Sequence, residues 1–265
     1  MKRIVHLSDL HFGRDRPELV TPLLERVNAL APDLVAISGD MTQRARPAQF
    51  RAARAFIDRL EPPVLCVPGN HDVPLYNLFV RWVLPWRRYR RWIDAELEPV
   101  RRIGDLLVVG LNTVDPYSWQ RGRIGRRTLE RLRARFTGAE RPGRRIVVAH
   151  HPVEHRPTDT KKLTRGAARA IAHLSECGAD VVLTGHLHSW RADTFATRAG
   201  QRDVVQVHAG TGLSTRMRGE ENDFNLLELQ GDRLTVTRYA AGETGAFAEI
   251  AARAFRITAE GWRAE

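Results

Sequence analysis

Short apolar runs alternate with amphipathic segments through the first seventy residues of the chain. The runs at 3–8, 33–38 and 63–67 have the length and continuity of buried strands. Between them, apolar residues recur every three or four positions, which predicts one helix beginning at Pro22 and another beginning at Pro47. This alternation predicts right-handed βαβ units and a largely parallel sheet.

The alternation continues through the middle of the chain and then changes. The predicted elements of this part are strands at 106–111, 146–149 and 180–183 and helices near 128–136 and 165–176. From 190 to 250, apolar positions alternate singly between turns that contain glycine, which predicts antiparallel strands. Because no linker rich in proline, glycine or serine divides the chain, we expect a single domain over residues 1–265 with two sheets.

Residues 75–100 form an insert in which aromatic side chains are interleaved with arginines. The aromatic residues are Tyr76, Phe79, Trp82, Trp86, Tyr89 and Trp92. Pro85 interrupts the pattern, so two short helices are expected rather than one. The favoured interpretation is an amphipathic cap whose aromatic side chains cover the core. Two alternatives stay open: an anionic membrane surface bound through 75–93, and a wall of an active site.

Charge and cysteine content narrow the range of partners and surroundings. The net charge is +11 and comes almost entirely from arginine, which favours an anionic partner such as a phosphorylated substrate, nucleic acid or anionic lipid. No apolar run approaches the ~20 residues of a transmembrane helix. Cys66 and Cys177 form no CxxC pair and are expected to be reduced thiols. Since the N-terminus also lacks the pattern of a signal peptide, a cytoplasmic location is expected.

Side chains that can bind metals follow five of the predicted strands. They are Asp9 and His11, Asp40, Asn70 with His71 and Asp72, His150, and His186 with His188. Carboxyl ends of parallel strands meet at one edge of a sheet, so these side chains are expected to lie together. In an extended segment residues two apart point the same way, so each Asp-x-His or His-x-His pair is expected to offer two ligands to one point. Carboxylate, imidazole and amide ligands together suit manganese, iron or zinc.

These motifs, spread from residue 9 to residue 188, resemble the calcineurin-like metallophosphoesterase superfamily. The stretches 7–13 and 67–74 are most similar to the bacterial class III cyclic-nucleotide phosphodiesterase-like branch. The resemblance implies an α/β fold, a four-layer αββα sandwich of two mixed sheets with helices on the outer faces. It also implies a dinuclear metal centre, with manganese or iron favoured and zinc as a further option.

The same resemblance assigns a role to each motif. The implied ligands are Asp9, His11 and His188 for one metal and Asn70, His150 and His186 for the other. Asp40 would bridge the two ions with one oxygen on each. His71 would bind no metal. As an imidazolium it would protonate the leaving group or stabilise the charge that develops on the phosphoryl group.

The chain departs from the family pattern at Gln43, where many members carry an aspartate that orients the catalytic histidine. A glutamine carbonyl can accept a hydrogen bond from His71, but it cannot stabilise an imidazolium as a carboxylate does. Either Asp72 assists His71 instead, or His71 is a weaker acid than its counterparts.

The implied activity is metal-dependent hydrolysis of a phosphodiester, with a 3′,5′-cyclic nucleotide as the leading small-molecule substrate. A nuclease and a pyrophosphohydrolase of a nucleotide-linked lipid precursor share the same ligand series and stay open. The alternative of another class is a non-catalytic metal-binding scaffold. Such relatives usually lose ligands, whereas every expected ligand is present here. The motifs determine neither the physiological substrate nor the oligomeric state.

Overall fold

The computed structural model describes residues 1–138, 143–155, 159, 161–195, 202–217 and 219–265. The strands among them are β1 (Lys2–Leu7), β2 (Leu34–Ile37), β3 (Val64–Cys66), β4 (Val100–Ile103), β5 (Leu106–Leu111), β6 (Arg144–Ala149), β7 (Val181–Thr184), β8 (Arg191–Thr194), β9 (Val205–His208), β10 (Asp223–Gln230), β11 (Arg233–Ala241), β12 (Phe247–Thr258) and β13 (Gly261–Ala264). The helices are α1 (Pro17–Ala29), α2 (Pro47–Ile57), α3 (Leu78–Val83), α4 (Arg87–Trp92), α5 (Arg126–Phe136) and α6 (Ala167–Glu176). Within the described residues, no helix has the length and apolar character needed to cross a membrane.

The strands form two mixed sheets. The first has seven strands in the order β13-β12-β11-β10-β1-β2-β3, and the second has six in the order β4-β5-β6-β7-β9-β8. In the first sheet β1, β2 and β3 pair in parallel, and in the second sheet so do β5, β6, β7 and β9. Antiparallel strands extend each parallel block, such as β10 beside β1 and β4 beside β5.

Three apolar clusters separate four layers. The central cluster lies between the sheets and includes Ile4 of the first and Val108 of the second. A second cluster packs α1 and α2 against the other face of the first sheet, and a third packs α5 and α6 against the other face of the second sheet. The α/β fold of two mixed sheets with helices is therefore confirmed.

Strand β1 shows why the apolar runs are continuous. Its Ile4 joins the cluster between the sheets, whereas Val5 and Leu7 join the cluster beneath the helices. Successive side chains of a strand point to opposite faces, and a sheet covered on both faces needs apolar residues on both.

Helix α1 begins earlier than expected, at Pro17 rather than Pro22. Pro17 occupies the first turn, where its missing N–H has no partner to lose, and Pro22 lies inside the helix. The start predicted at Pro47 is confirmed for α2.

The C-terminal strands differ from expectation in two ways. Val205–His208 pairs in parallel with β7, so the segment from 190 to 250 is not wholly antiparallel; its residues 196–201 and 218 lie outside the described part. Strands β12 and β13 were not expected at all. Most side chains of β12 are exposed or half-buried, because it lies near the edge of the sheet, and its sequence therefore lacks a clear apolar alternation.

The insert forms two short helices on either side of Pro85, as predicted. The favoured interpretation as a cap holds for α4, where Tyr89 is fully buried and Trp92 packs against the core beneath α1 and α2. It is wrong for α3 and the residues before it, where Phe79 and Trp82 are exposed. The position of α3 is set instead by three hydrogen bonds that the Arg81 side chain donates to backbone carbonyls, as described below.

Strand β13 is attached to both sheets through Trp262. The indole is fully buried in the cluster between the sheets, and its Nε1 donates to Asp180 Oδ1 at 3.1 Å. Asp180 directly precedes β7, so this hydrogen bond joins the edge of one sheet to the other.

We expect Trp262→Ala to lower the free energy of unfolding by about 3–5 kcal/mol, because a large buried side chain is removed. Trp262→Phe keeps much of the apolar contact but loses the hydrogen bond, so it should cost less. Urea denaturation checks both variants. Trp82→Ala is the control, since that side chain is 51% exposed and its loss should change stability by no more than about 0.5 kcal/mol. Equal effects at positions 82 and 262 would contradict this description of β13.

Candidate metal centre

The loops after β1, β2 and β7 are not extended, contrary to expectation. Five polar residues in them have φ in the left-handed region: Asp9 (53°), His11 (50°), Asp40 (52°), His186 (70°) and His188 (60°). This conformation costs a non-glycine residue on the order of 1–3 kcal/mol and occurs where the surrounding structure enforces it. As a result His186 and His188 point into different clusters of ligands, and the expectation that they serve one point is wrong.

Two glycines allow these loops to approach one another. A side chain at Gly185 would overlap Ser8 Oγ and the Asp9 carboxylate, and one at Gly69 would overlap the backbone and carboxylate of Asp40. Glycine at these two positions therefore lets a loop of one strand pass directly against the metal-binding residue of another.

The first cluster consists of Asp9, His11 and His188, all of which are buried. Asp9 Oδ1 lies 3.4 Å from His11 Nε2 and 3.0 Å from His188 Nε2, and the two Nε2 atoms are 3.4 Å apart. Asp9 Oδ1 is nevertheless without a hydrogen-bond partner in this geometry. Three convergent donor atoms, one of them an unsatisfied buried carboxylate oxygen, fit a metal ion.

The second cluster surrounds His150 Nε2. This atom lies 3.2 Å from Asn70 Oδ1 and 3.3 Å from His186 Nδ1. Asp40 Oδ2 is 3.3 Å from His150 Nε2 and 3.8 Å from His11 Nε2, so one carboxylate reaches both clusters. The positions of these atoms suit two metal ions that share Asp40.

Hydrogen bonds from outside the clusters orient the ligand atoms. His150 Nδ1 contacts Ser38 O at 2.8 Å and His188 Nδ1 contacts Arg216 O at 3.0 Å. A carbonyl accepts only from N–H, so each Nδ1 carries the proton and each Nε2 is left as a lone-pair donor to a metal. The second oxygen of Asp9 accepts from Ser8 Oγ and from the backbone of His186, at 2.7 and 2.9 Å.

The pKa values of the buried side chains also indicate that the two clusters favour a bound cation. Burial opposes ionisation of Asp9, yet the neighbouring His188 and His11 hold the pKa of this carboxyl well below its usual value. Burial likewise lowers the pKa of His150, but Asp40 and Asp9 outweigh it and raise that pKa to about 9. The carboxylates thus favour positive charge within the site, and a metal ion bound there would supply that charge in place of the imidazole proton.

His151 lies beside the second cluster but is not arranged as a ligand. Its Nδ1 is 2.8 Å from Thr113 Oγ1 and its Nε2 is 3.1 Å from Gln120 O. Because both nitrogens have protein partners, His151 supports the loop and packs edge-on against the His150 ring.

His71 is oriented by a backbone carbonyl, not by a carboxylate. Its Nδ1 donates to Gln43 O at 2.8 Å, while both oxygens of Asp72 point away from the ring. The oxygens of Asp72 accept from the backbone N–H groups of Met41, Thr42 and Gly69 at 2.8–3.2 Å, and from the Thr42 hydroxyl. Asp72 therefore fixes the loop that carries Asp40, and the hypothesis that it assists the imidazole directly is not supported.

The partner of the free nitrogen of His71 is Arg216, which sequence reasoning missed. Arg216 Nη1 lies 3.1 Å from His71 Nε2. Burial lowers the pKa of His71 to about 4, so the imidazole accepts this hydrogen bond in its neutral form. Arg216 follows β9 in a loop without a recognisable motif, and its only signal was the nearby sequence Ala-Gly-Thr-Gly at 209–212.

Comparison with known proteins places this arrangement in a family. The model of the calcineurin-like phosphoesterase family matches residues 2–190, a range that holds all seven candidate ligands. The chain belongs to this family. Calcineurin-like phosphoesterases use a dinuclear metal centre, and the two clusters agree with such a centre.

Several relatives show how far the likeness extends. A cAMP/cGMP dual specificity phosphodiesterase of Mycobacterium tuberculosis is 27% identical over 91% of this chain and 80% of its own length. Glycerophosphodiester phosphodiesterase GpdQ of Enterobacter lignolyticus is 32% identical over 26% of this chain, and UDP-2,3-diacylglucosamine pyrophosphatase LpxG of Chlamydia muridarum is 34% identical over 28%. These two alignments span only 29% and 23% of the relatives' own lengths.

A solved structure extends the likeness of the fold to nearly the whole chain. Purple acid phosphatase PPD1 from yellow lupin (Lupinus luteus) superposes with a TM-score of 0.72 over 96% of this chain and 53% of that one. The sequences are 12% identical, so this likeness concerns the fold alone.

Either Asn70 or His151 could be the ligand that completes the second cluster beside His150 and His186. Substitution of each residue distinguishes these alternatives. We expect Asn70→Ala to lower the metal content from two ions per chain towards one, because its amide oxygen lies against His150. His151→Gln should keep both ions, since neither ring nitrogen is free to bind one. Elemental analysis of the purified, metal-loaded proteins measures this. Loss of an ion in His151→Gln and full retention in Asn70→Ala would reverse the assignment.

Proposed function

We propose that this chain hydrolyses phosphodiesters with two metal ions bound at the joined clusters. The proposed ligands are Asp9, His11 and His188 for one ion, Asn70, His150 and His186 for the other, and Asp40 for both. The observation that carries the proposal is the position of Asp40 Oδ2, within 3.8 Å of one histidine from each cluster. When bound, the metal pair lowers the pKa of a water molecule so that it can attack phosphorus, and neutralises phosphoryl charge.

The donor set bears on the identity of the metals. Five of the seven proposed ligand side chains offer nitrogen or amide donors and two offer carboxylates. Such a mixed set suits manganese or iron, with zinc also compatible, and it lacks the thiolates of structural zinc sites.

Arg216 and His71 lie beside the clusters and complete the proposed site. A bound phosphodiester presents anionic oxygens, for which the guanidinium of Arg216 is a preferred partner. When Arg216 turns from His71 Nε2 to such an oxygen, that nitrogen is released to face the leaving group. The negative charge of the substrate favours protonation of the ring, against the effect of burial. His71 then donates its Nε2 proton to the departing alkoxide.

A 3′,5′-cyclic nucleotide is the proposed substrate. Its support is the dual specificity phosphodiesterase of Mycobacterium tuberculosis, which aligns with most of this chain. Alignment with the glycerophosphodiesterase and the pyrophosphatase covers much smaller parts, so their substrates rank lower.

A substrate screen with the manganese-loaded protein tests this ranking. We expect cAMP or cGMP to be cleaved with a higher kcat/KM than a glycerophosphodiester, a UDP-linked diacylglucosamine or single-stranded DNA. Faster cleavage of one of these others would replace the proposed substrate but keep the reaction. Two bound ions without turnover of any phosphoester, including bis-(p-nitrophenyl) phosphate, would instead favour a metal-binding scaffold.

Loss of the Arg216 side chain should weaken the reaction without removing the metals. Arg216→Ala is expected to lower kcat/KM for a phosphodiester by about tenfold to hundredfold, the value of a charged hydrogen bond. His71→Ala should lower kcat by about 10²–10⁴-fold, since a proton donor is lost. If both side chains act on one phosphoryl group, the double variant will lose less than the product of the single losses.

The metal content of each variant shows whether its loss of activity comes from lost contacts with the substrate or from lost metal ions. Arg216 contacts His188 through its backbone carbonyl, so its side-chain variants should retain both ions. Met217→Ala is the matched control, because this neighbouring side chain is exposed and has no assigned role. Unchanged kcat/KM in Arg216→Ala, or loss of an ion from it, would remove Arg216 from the proposed site.

A further inference from the structure

Every exposed aromatic side chain of this protein comes from two short segments. Their exposed fractions are 66% for Tyr76, 70% for Phe79, 51% for Trp82, 75% for Tyr117 and 60% for Trp119. All nineteen aromatic residues fall within the described part of the chain, and the other fourteen are buried or half-buried. Such a concentration of exposed apolar area marks an interaction surface, not random exposure.

Helix α3 contributes one face to this surface. Leu78, Phe79, Trp82 and Val83 are all at least 43% exposed. Their spacing along the helix places them on a common side. We call these four residues, together with Tyr76, Tyr117 and Trp119, the aromatic surface.

A buried arginine holds the two segments together. Arg81, on the opposite side of α3, is only 2% exposed. Its guanidinium donates to Pro116 O and Ser118 O at 2.6 Å each, and to Pro74 O at 3.2 Å. It also lies 5.5 Å from the ring centroid of Trp119. Because three carbonyls from the two segments bind one cation, the aromatic surface is preformed.

A basic cleft adjoins the aromatic surface. Its volume is about 770 Å³, and Pro116 and Tyr117 line it on the side of the aromatic surface. The arginines that line it are Arg123, Arg126, Arg127, Arg165 and Arg169. Among the described residues of this lining, Asp115 alone is acidic, and it lies 3.7 Å from Arg165. Helices α5 and α6 begin at the cleft, so their positive N-terminal ends add to its charge.

The segment that contains α3 and α4 is positively charged, like the basic cleft. Residues 74–93 contain five arginines and no acidic residue. Arg44 and Arg46 lie within 5.8 Å of the Tyr76 ring centroid, so positive charge also borders the aromatic surface at Tyr76.

We propose that the aromatic surface and the adjoining basic cleft dock this protein onto an anionic lipid membrane. Tryptophan, tyrosine and phenylalanine enter the interfacial region of a bilayer, and neighbouring arginines bind lipid phosphates. The cleft receives an anionic headgroup while the exposed face of α3 lies among the acyl chains. Docking is independent of the reaction proposed for the metal centre.

Two other partners explain the surface less well. Nucleic acid accounts for the arginines but leaves Leu78, Phe79 and Val83 without an apolar environment. A symmetric dimer through this surface would bring two strongly basic clefts close to each other, which is electrostatically unfavourable. An anionic bilayer offers acyl chains to the apolar side chains of the aromatic surface and lipid phosphates to the arginines of the basic cleft.

Flotation with phospholipid vesicles tests the proposal on the full chain. The protein should float with vesicles of phosphatidylcholine and phosphatidylglycerol and remain behind with phosphatidylcholine alone. The paired substitution Phe79→Ser with Trp82→Ser should weaken partitioning more than about tenfold. Arg126→Glu with Arg127→Glu should weaken it at least about tenfold, since each surface arginine contributes roughly fivefold.

Matched controls separate docking from folding and from overall charge. Ile250→Ser removes an exposed apolar residue of β12, and Arg59→Glu with Arg101→Glu makes the same change in net charge outside the surface. Both controls should float as the wild type does. All variants should keep their thermal midpoint, metal content and kcat/KM on bis-(p-nitrophenyl) phosphate.

Several results would overturn membrane docking. They are failure to float with anionic vesicles, equal flotation with neutral vesicles, or equal loss in the control variants. Light scattering that shows a dimer dissolved by Phe79→Ser with Trp82→Ser, in a protein that does not float, would assign the surface to self-association. Tight binding of single-stranded DNA lost in the arginine pair, again without flotation, would assign the cleft to nucleic acid.

Discussion

The position of the Asp40 carboxylate between two sets of imidazoles is the constraint on which the rest of the site depends. One oxygen accepts from the His71 backbone at 2.7 Å, and the other lies 3.3 Å from His150 Nε2 and 3.8 Å from His11 Nε2. A buried carboxylate needs opposite charge close by, because desolvation otherwise makes ionisation costly. The loops after β1, β3 and β6 must therefore converge on the loop after β2. This requires the carboxyl ends of the parallel strands in both sheets to lie on the same side of the molecule.

The left-handed residues and the close glycines follow from this convergence. Regular strands would carry the chain past the site, whereas left-handed residues turn it sharply after β1, β2 and β7. Asp72 supports one such turn by binding three backbone N–H groups, and this explains why a buried carboxylate lies next to His71 without touching its ring. Local strain at Asp9 and Asp40 is thus maintained by hydrogen bonds and packing around the loops.

Arginine has different roles in different parts of the molecule, although its abundance alone suggested only a basic surface. Arg81 is buried and binds three carbonyls, so it is part of the framework of α3. Arg216 contacts His71 beside the metal centre. The arginines of the basic cleft face solvent together with Tyr117. The roles differ because each guanidinium meets a different environment: backbone carbonyls, a neutral imidazole, or open solvent beside aromatic rings.

The sequence by itself determined the α/β class, the strand ends and the family, since apolar runs covered on both faces and ligands such as Asp9 and His150 leave local patterns. It could not determine that β9 runs parallel or that β12 and β13 exist, because strand direction and edge pairing depend on distant partners. It also could not decide that Gln43 orients His71 through its backbone or that Arg216 faces the ring. Nor could it decide that the aromatic side chains of α4 pack against the core while those of α3 are exposed. Those features depend on which segments meet in space, and only the tertiary structure brings them together.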